Sequence, residues 1–309
     1  MRPSPALIAA LPSWLNVDLE IGAVPETLPD GQDVFDWLTA NQEEAIVRLE
    51  SGTALLVTGS RLVLSPAPNA SDSELAYVLY SFGTRLVLTL RREFSLHSSA
   101  FRTDTGAVAL LGRAHAGKST TLLGMRDRGY EAIVDDLLPI QVQGTSRLTC
   151  SGWPRPAHVR TRTSQMLAEW GAAPELASSM RPDAPRLAHV VQRETRGISL
   201  VGGVLLVADQ DTDGIRFEQV QGARKLAAIH ATTDRWGQVS FGGRKADFFR
   251  WASAVANALP MFRLTRPSDP WCLPDVLDRV EQALADPDEL GSALPNRARA
   301  SDRLTVVVT

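Results

Sequence analysis

Residues Gly112 to Ser119 read Gly-Arg-Ala-His-Ala-Gly-Lys-Ser and match the pattern G-x-x-x-x-G-K-[ST]. This pattern restricts a fold tightly. It works only where a buried strand delivers the chain to the loop and a helix carries it away, because the loop amides must converge at the helix N-terminus. Both flanks are present. Ala107 to Leu111 is an unbroken apolar run of strand character. Ser119 to Arg128 has helical character and ends at Gly129, a natural stop. The expected nucleotide-binding set is therefore Gly112, Arg113, Ala114, His115, Ala116, Gly117, Lys118, Ser119 and Thr120. Lys118 would reach the β- and γ-phosphates of ATP, and the Ser119 hydroxyl would bind Mg²⁺. His115 stands where small residues are usual, so its side chain is expected to point outward.

Around this loop the chain reads as α/β, preceded by a small α+β module over residues 1–95. Leu15 to Ile21 alternates apolar and polar residues as a half-buried strand does. Ala45 to Leu49 and Thr53 to Val57 flank Ser51-Gly52 and predict a hairpin. Arg61 to Leu64 is another strand. Ser71 to Glu74 predicts a capped helix start, with Gly83 as its end and a return to strand at Leu86 to Leu90. The second region, residues 96–285, carries strands at Val108–Leu111, Ala132–Val134, Ile140–Val142 and Val204–Val207. Helices are predicted at Thr163–Trp170, Arg224–His230, Phe248–Leu259 and Leu273–Leu284, with an edge strand at Phe262–Leu264. The tail, residues 286–309, is small, polar and charged, and is expected to be mobile.

Composition excludes several classes. A net charge of −3 over 309 residues argues against a nucleic-acid-coated surface. No apolar run reaches membrane-spanning length, so no membrane partner is expected. Ala6 to Leu11 is signal-like, but Pro12 breaks it and acidic residues follow. Cys150 and Cys272 are far apart and lack metal-type spacing, which suits a reducing cytoplasm.

Two further features turn nucleotide binding toward a reaction. Asp135-Asp136 follows Tyr130 to Val134 and lies 17 residues beyond Lys118, enough for one helix, a turn and a strand beside the loop. Neighbouring side chains at a strand end alternate, so one acid can meet Mg²⁺ while the other faces an acceptor hydroxyl. The other reading is that the pair caps the next turn. His97 leads into the loop strand through a short hairpin at Thr103–Gly106, which would bring it back toward the loop. A lone histidine is also often purely structural.

These residues resemble the HPr kinase/phosphorylase family. His97, Gly112 to Ser119, Arg128-Gly-Tyr130 and Asp135-Asp136 follow the family's order and spacing. The resemblance implies a phosphate-loop kinase core like that of phosphoenolpyruvate carboxykinase, using ATP and Mg²⁺. It implies Asp135 as the general base for a serine hydroxyl, Asp136 as a metal-side acid with Ser119, Lys118 on the phosphates, and His97 as organiser. Tyr80 to Arg85, Thr120-Thr121 after the loop serine, and Pro260 to Leu264 look more like relatives found with lasso-peptide biosynthesis. Those phosphorylate the C-terminal serine of a precursor peptide, so a peptide with an acceptor serine is the implied partner. The carbohydrate-regulating enzymes of the family are hexamers, and a homo-oligomer stays open here. Ala114-His115 departs from the family's Ser-Gly. The acid-Arg-Gly signature after the Asp pair is also missing, which puts a second metal-side acid and phosphorylase activity in doubt. Arg160, Arg162, Arg193 and Arg196 are candidates for phosphate contact, although a solvated surface charge is the first reading of each. A small-molecule kinase on the same core and a non-catalytic ATP-binding regulator are the competing functions.

Overall fold

The computed structural model describes residues 2–144, 146–154, 156–160, 165, 186–190, 193–233, 245–268, 272–286 and 289–290. The helix expected over Thr163–Trp170 lies outside them except for Gln165, as do Arg162 and residues 291–309.

The chain opens with α1 (Pro5–Ala9) and a single 3₁₀ turn at Ser13–Leu15. Six strands follow: β1 (Asp18–Ile21), β2 (Gln32–Phe35), β3 (Leu38–Ala40), β4 (Glu44–Arg48), β5 (Ala54–Thr58) and β6 (Arg61–Ser65). They form one sheet in the order β1-β6-β5-β4-β3-β2, antiparallel except for the parallel β1–β6 pair. One face of this sheet is covered by α2 (Asp72–Val78), a π-helical turn (Leu79–Gly83) and α3 (Thr84–Leu90), which run on without a break. The Ser71 side chain caps α2 by accepting the Glu74 amide at 3.2 Å, as its sequence signature predicts. The expected strand at Leu86–Leu90 is a correction: it is the end of this helix. Gly83 stays helical at φ −57°, over the side chains of Leu55 and Leu62. Thr84 to Thr89 are all buried, so no polar alternation marked a helix there.

The second sheet holds the loop. Its strands are β7 (Ser95–Leu96), β8 (Ser99–Thr103), β9 (Gly106–Leu111), β10 (Glu131–Val134), β11 (Leu138–Gln143), β12 (Arg147–Gly152), β15 (Thr195–Asp209), β16 (Arg216–Gln219) and β17 (Met261–Pro267). A separate ribbon pairs β13 (Pro156–Arg160) with β14 (Arg186–Val190). The main path runs β10-β8-β9-β15-β12-β11-β7. Only His97 and Ser98 separate β7 from β8, yet β7 ends that path and β8 lies next to its other end, so the sheet curls back on itself.

At the centre, β9, β15 and β17 run parallel. The expected edge strand at Phe262–Leu264 is therefore interior: β17 lies between β15 and the mostly exposed β16. Helix α4 (Lys118–Asp127) links β9 to β10. Among the described residues three more helices follow, α5 (Ala223–Thr232), α6 (Lys245–Ala258) and α7 (Leu273–Ala285). All six residues of β9 are buried, and from Ala107 to Leu111 they alternate between two apolar clusters. Ala107, Ala109 and Leu111 join a cluster that runs on into the first sheet and its helices. Val108 and Leu110 join one built with Leu122 and Met125 of α4 and Val276, Leu277 and Val280 of α7. A strand buried on both faces has no reason to alternate in polarity, which is why this run reads as continuously apolar. Leu290, inside the tail expected to be mobile, is 2% exposed and belongs to the second cluster.

Candidate active site

The loop between β9 and α4 is shaped by left-handed backbone. Gly112 has φ +147°, and a Cβ there would come within 2.8 Å of both the Leu206 carbonyl oxygen and the Ala116 Cβ. Gly117 has φ +104° and is the residue from which α4 springs. His115 adopts φ +68°, a backbone that glycine takes more readily, and its side chain is exposed as expected. That conformation costs a non-glycine residue about 1–3 kcal/mol, so histidine holds this loop shape at an energetic cost. Arg113 and Ala114 are also exposed, whereas Ala116 turns inward.

Lys118, first residue of α4, is buried and folds back over the loop. Its Nζ donates to the carbonyls of Gly112 at 2.9 Å and Arg113 at 3.2 Å. Burial pushes its pKa below the ordinary lysine value, and the nearby charges of Asp135 and Asp136 oppose that shift.

One residue later, the Ser119 hydroxyl lies 2.9 Å from both carboxylate oxygens of Asp135. Strand order explains the meeting. β8 lies between β9 and β10, and both neighbours pair with it antiparallel, so β9 and β10 end on the same side. Ser99 of β8 pairs with Leu110 and also donates to Asp135 Oδ1 at 2.5 Å. Asp135 is 4% exposed and held by two hydroxyls. The expectation that it would face an acceptor as base meets this geometry: Asp135 stands against the loop serine.

Asp136 has different neighbours. Its backbone is left-handed at φ +76°, and its side chain meets partners other than those of Asp135. Oδ1 lies 2.8 Å from His97 Nδ1, and Oδ2 lies 2.5 Å from the Arg85 guanidinium of α3. His97 Nδ1 is also 3.1 Å from the Asp136 carbonyl oxygen. An ionised carboxylate and a carbonyl both only accept, so Nδ1 carries the hydrogen and a neutral imidazole presents Nε2 as an acceptor. The His97 side chain is 37% exposed.

Among the proposed phosphate arginines, Arg193 pairs with Glu131 at 2.5 Å and Arg196 is exposed; Arg160 lies in β13. Sequence reasoning missed Arg266. From β17 it donates to the carbonyl of Ala116 at 3.3 Å and lies against Gly117, so a second cation borders the loop. Ser99 and Arg85 were also missed as site residues, although Arg85 ends the Tyr80 to Arg85 stretch of the resemblance.

The donor set suits Mg²⁺, which takes a hydroxyl and one or two carboxylates and fills its octahedron with phosphate and water oxygens. Among the described residues no group of three or more His, Cys, Asp or Glu side chains gathers as a closed metal cage. None of their helices is long and apolar enough to cross a membrane.

No protein-family model matches this chain, and no curated protein is significantly similar to it. Among solved structures it is similar to the Hpr(Ser) kinase/phosphatase from Coxiella burnetii. Identity is 14% over 61% of this chain and 90% of that one, with a TM-score of 0.30.

Proposed function

We propose that this chain is an ATP- and Mg²⁺-dependent kinase that phosphorylates a serine hydroxyl on a peptide. The observation that carries the reading is the division of labour beside one loop. Ser119 faces Asp135 at 2.9 Å, and a separate His97–Asp136 pair stands next to them. Binding a nucleotide needs only the loop and one acid. A second, independently supported proton acceptor is what transfer to a hydroxyl requires.

In this reading Lys118 holds the β- and γ-phosphates, with the loop amides from Gly112 to Thr120 around them. Ser119 and Asp135 would hold the metal, which would supply neutralisation of the charge building on the phosphates. His97 Nε2 takes the proton of the acceptor hydroxyl while Asp136 holds the ring by Nδ1–H. The bond from the γ-phosphorus to the β-phosphate bridging oxygen breaks as the bond to the serine oxygen forms, and ADP leaves. Asp135 thus takes the metal-side role, and the proton acceptance that the sequence resemblance implied for it passes to His97, backed by Asp136.

The acceptor rests on that resemblance alone: the C-terminal serine of a lasso precursor peptide, in a cytoplasmic setting. The test is calorimetric titration with ATP·Mg²⁺ paired with a transfer assay. Lys118→Ala should abolish measurable transfer and remove most of the phosphate affinity, leaving what Arg266 and the amides supply. Full transfer by that variant removes the loop from the chemistry. Binding without transfer in the unaltered protein makes the chain a nucleotide-binding regulator.

A further inference from the structure

Arg85 is remote from the loop in sequence and belongs to the helical layer over the first sheet, yet its guanidinium ends on Asp136 Oδ2 at 2.5 Å. Its side chain is only 10% exposed. A buried guanidinium is retained where something fixes its charge, and here that partner is the carboxylate behind His97. The helix is built to aim it. The π-helical turn at Leu79–Gly83, closed by the Thr84 amide on the Leu79 carbonyl, widens one turn immediately before Arg85. Such a turn rotates every later side chain relative to a regular helix, and π-turns cluster at functional sites.

We infer that Arg85 is a positioning residue for phosphotransfer: it holds Asp136 in its left-handed conformation and thereby keeps His97 with Nδ1 protonated and Nε2 bare. The inference extends the proposed function and makes the N-terminal layer part of the active site. The charged groups the pair meets are Arg85 from α3 and Lys118, whose charge couples to Asp135 and Asp136. The α5 residue Thr232 accepts the His97 amide at 2.7 Å, and the His230 ring turns to Phe248.

The experiment has two readouts on the full chain. The first needs no activity. With ¹⁵N-labelled histidine, at a pH where the imidazoles are neutral, the His97 signal (assigned by its loss in His97→Gln) should report a protonated Nδ1. Arg85→Ala, checked for cooperative melting, should move it toward the Nε2–H form. The second is kinetic. Arg85→Ala should lower kcat about 10–100-fold with little change in KM for ATP, as loss of a supporting residue does. Millimolar methylguanidinium should restore part of the rate to Arg85→Ala and none to Asp136→Asn. Arg85→Gln, closer in shape, is read in the same way should Arg85→Ala fail to fold. A folded variant with an unchanged His97 signal overturns the inference whatever its rate. A shifted signal in a protein that transfers no phosphate keeps Arg85 as the positioning residue and removes the proposed kinase activity.

Discussion

Asp135 and Asp136 are chain neighbours with opposite surroundings, and the site turns on that difference. Asp135 is nearly buried between two hydroxyls; Asp136 is partly exposed between a guanidinium and an imidazole. Asp135→Asn should therefore weaken the Mg²⁺ dependence, raising the metal concentration needed for half-maximal rate. His97→Gln should leave ATP·Mg²⁺ binding intact and cut kcat about 10²–10⁴-fold, the usual loss for a general base. Steady-state kinetics across a Mg²⁺ series separates the two. If Asp135→Asn costs only kcat while Asp136→Asn shifts the metal requirement, the roles return to those of the family resemblance. The cysteines supply an independent check on burial. The Cys150 thiol is pushed up to about 12 by burial, whereas Cys272 is partly accessible. A raised thiol pKa means that the unfolded chain loses its proton first, so this group withdraws stability as pH climbs above about 9. A disulfide reagent at pH 8 should label Cys272 in the native protein and reach Cys150 only after denaturation. Lys118 and Ser119 were legible in the sequence because loop spacing alone fixes their place. Arg85 and Arg266 were not, because their partners lie 51 and 150 residues away in the chain.

At the scale of elements, the strand-loop-helix unit was legible because each part obeys its own local rule. β9 is continuously apolar, glycine bends the loop, and Gly129 at φ +94° stops the chain after α4. The helix over residues 72–90 was read only to Gly83, because a buried apolar run carries no period by which helix and strand differ. Likewise β16 escaped notice since its pattern is mostly exposed and polar, and without it β17 read as an edge. Packing of α4 on α7 gives a sharp test. A Cβ on Gly124 would sit 2.7 Å from a Leu277 methyl and 3.4 Å from one of Leu273. Gly124→Val should destabilise the protein by about 1–3 kcal/mol through overpacking, although glycine is a poor helix former. Denaturant unfolding reads this directly; a stabilised variant would mean that α7 does not lie against α4. Arg128 ties the same helices by donating to Glu281 at 2.5 Å and Asp278 at 2.6 Å. Arg128→Ala should cost about 1–2 kcal/mol, because charge-assisted bonds are lost from a partly buried cation.

Across the whole molecule, the apolar interior does not divide at residue 95. One cluster joins Leu55, Leu62 and Leu88 of the first sheet and its helices to Leu96, Leu138 and Trp153 of the second region. Glu194 accepts from Ser13 and Trp14, and Trp14 meets Trp153 edge-on with ring centroids 5.5 Å apart. The sequence suggested two modules because strand density and the loop motif change near that point; it held no signal that both would share a core and, through Arg85, a site. The central claim is that this joined structure moves phosphate from ATP to a hydroxyl. Mass spectrometry of a serine-terminated peptide incubated with the protein, ATP and Mg²⁺ tests it most directly. The account predicts a single added phosphate on that serine, absent with Lys118→Ala and absent when the peptide serine is alanine. ATP that binds yet stays intact in the presence of the peptide and of small hydroxyl acceptors would contradict it.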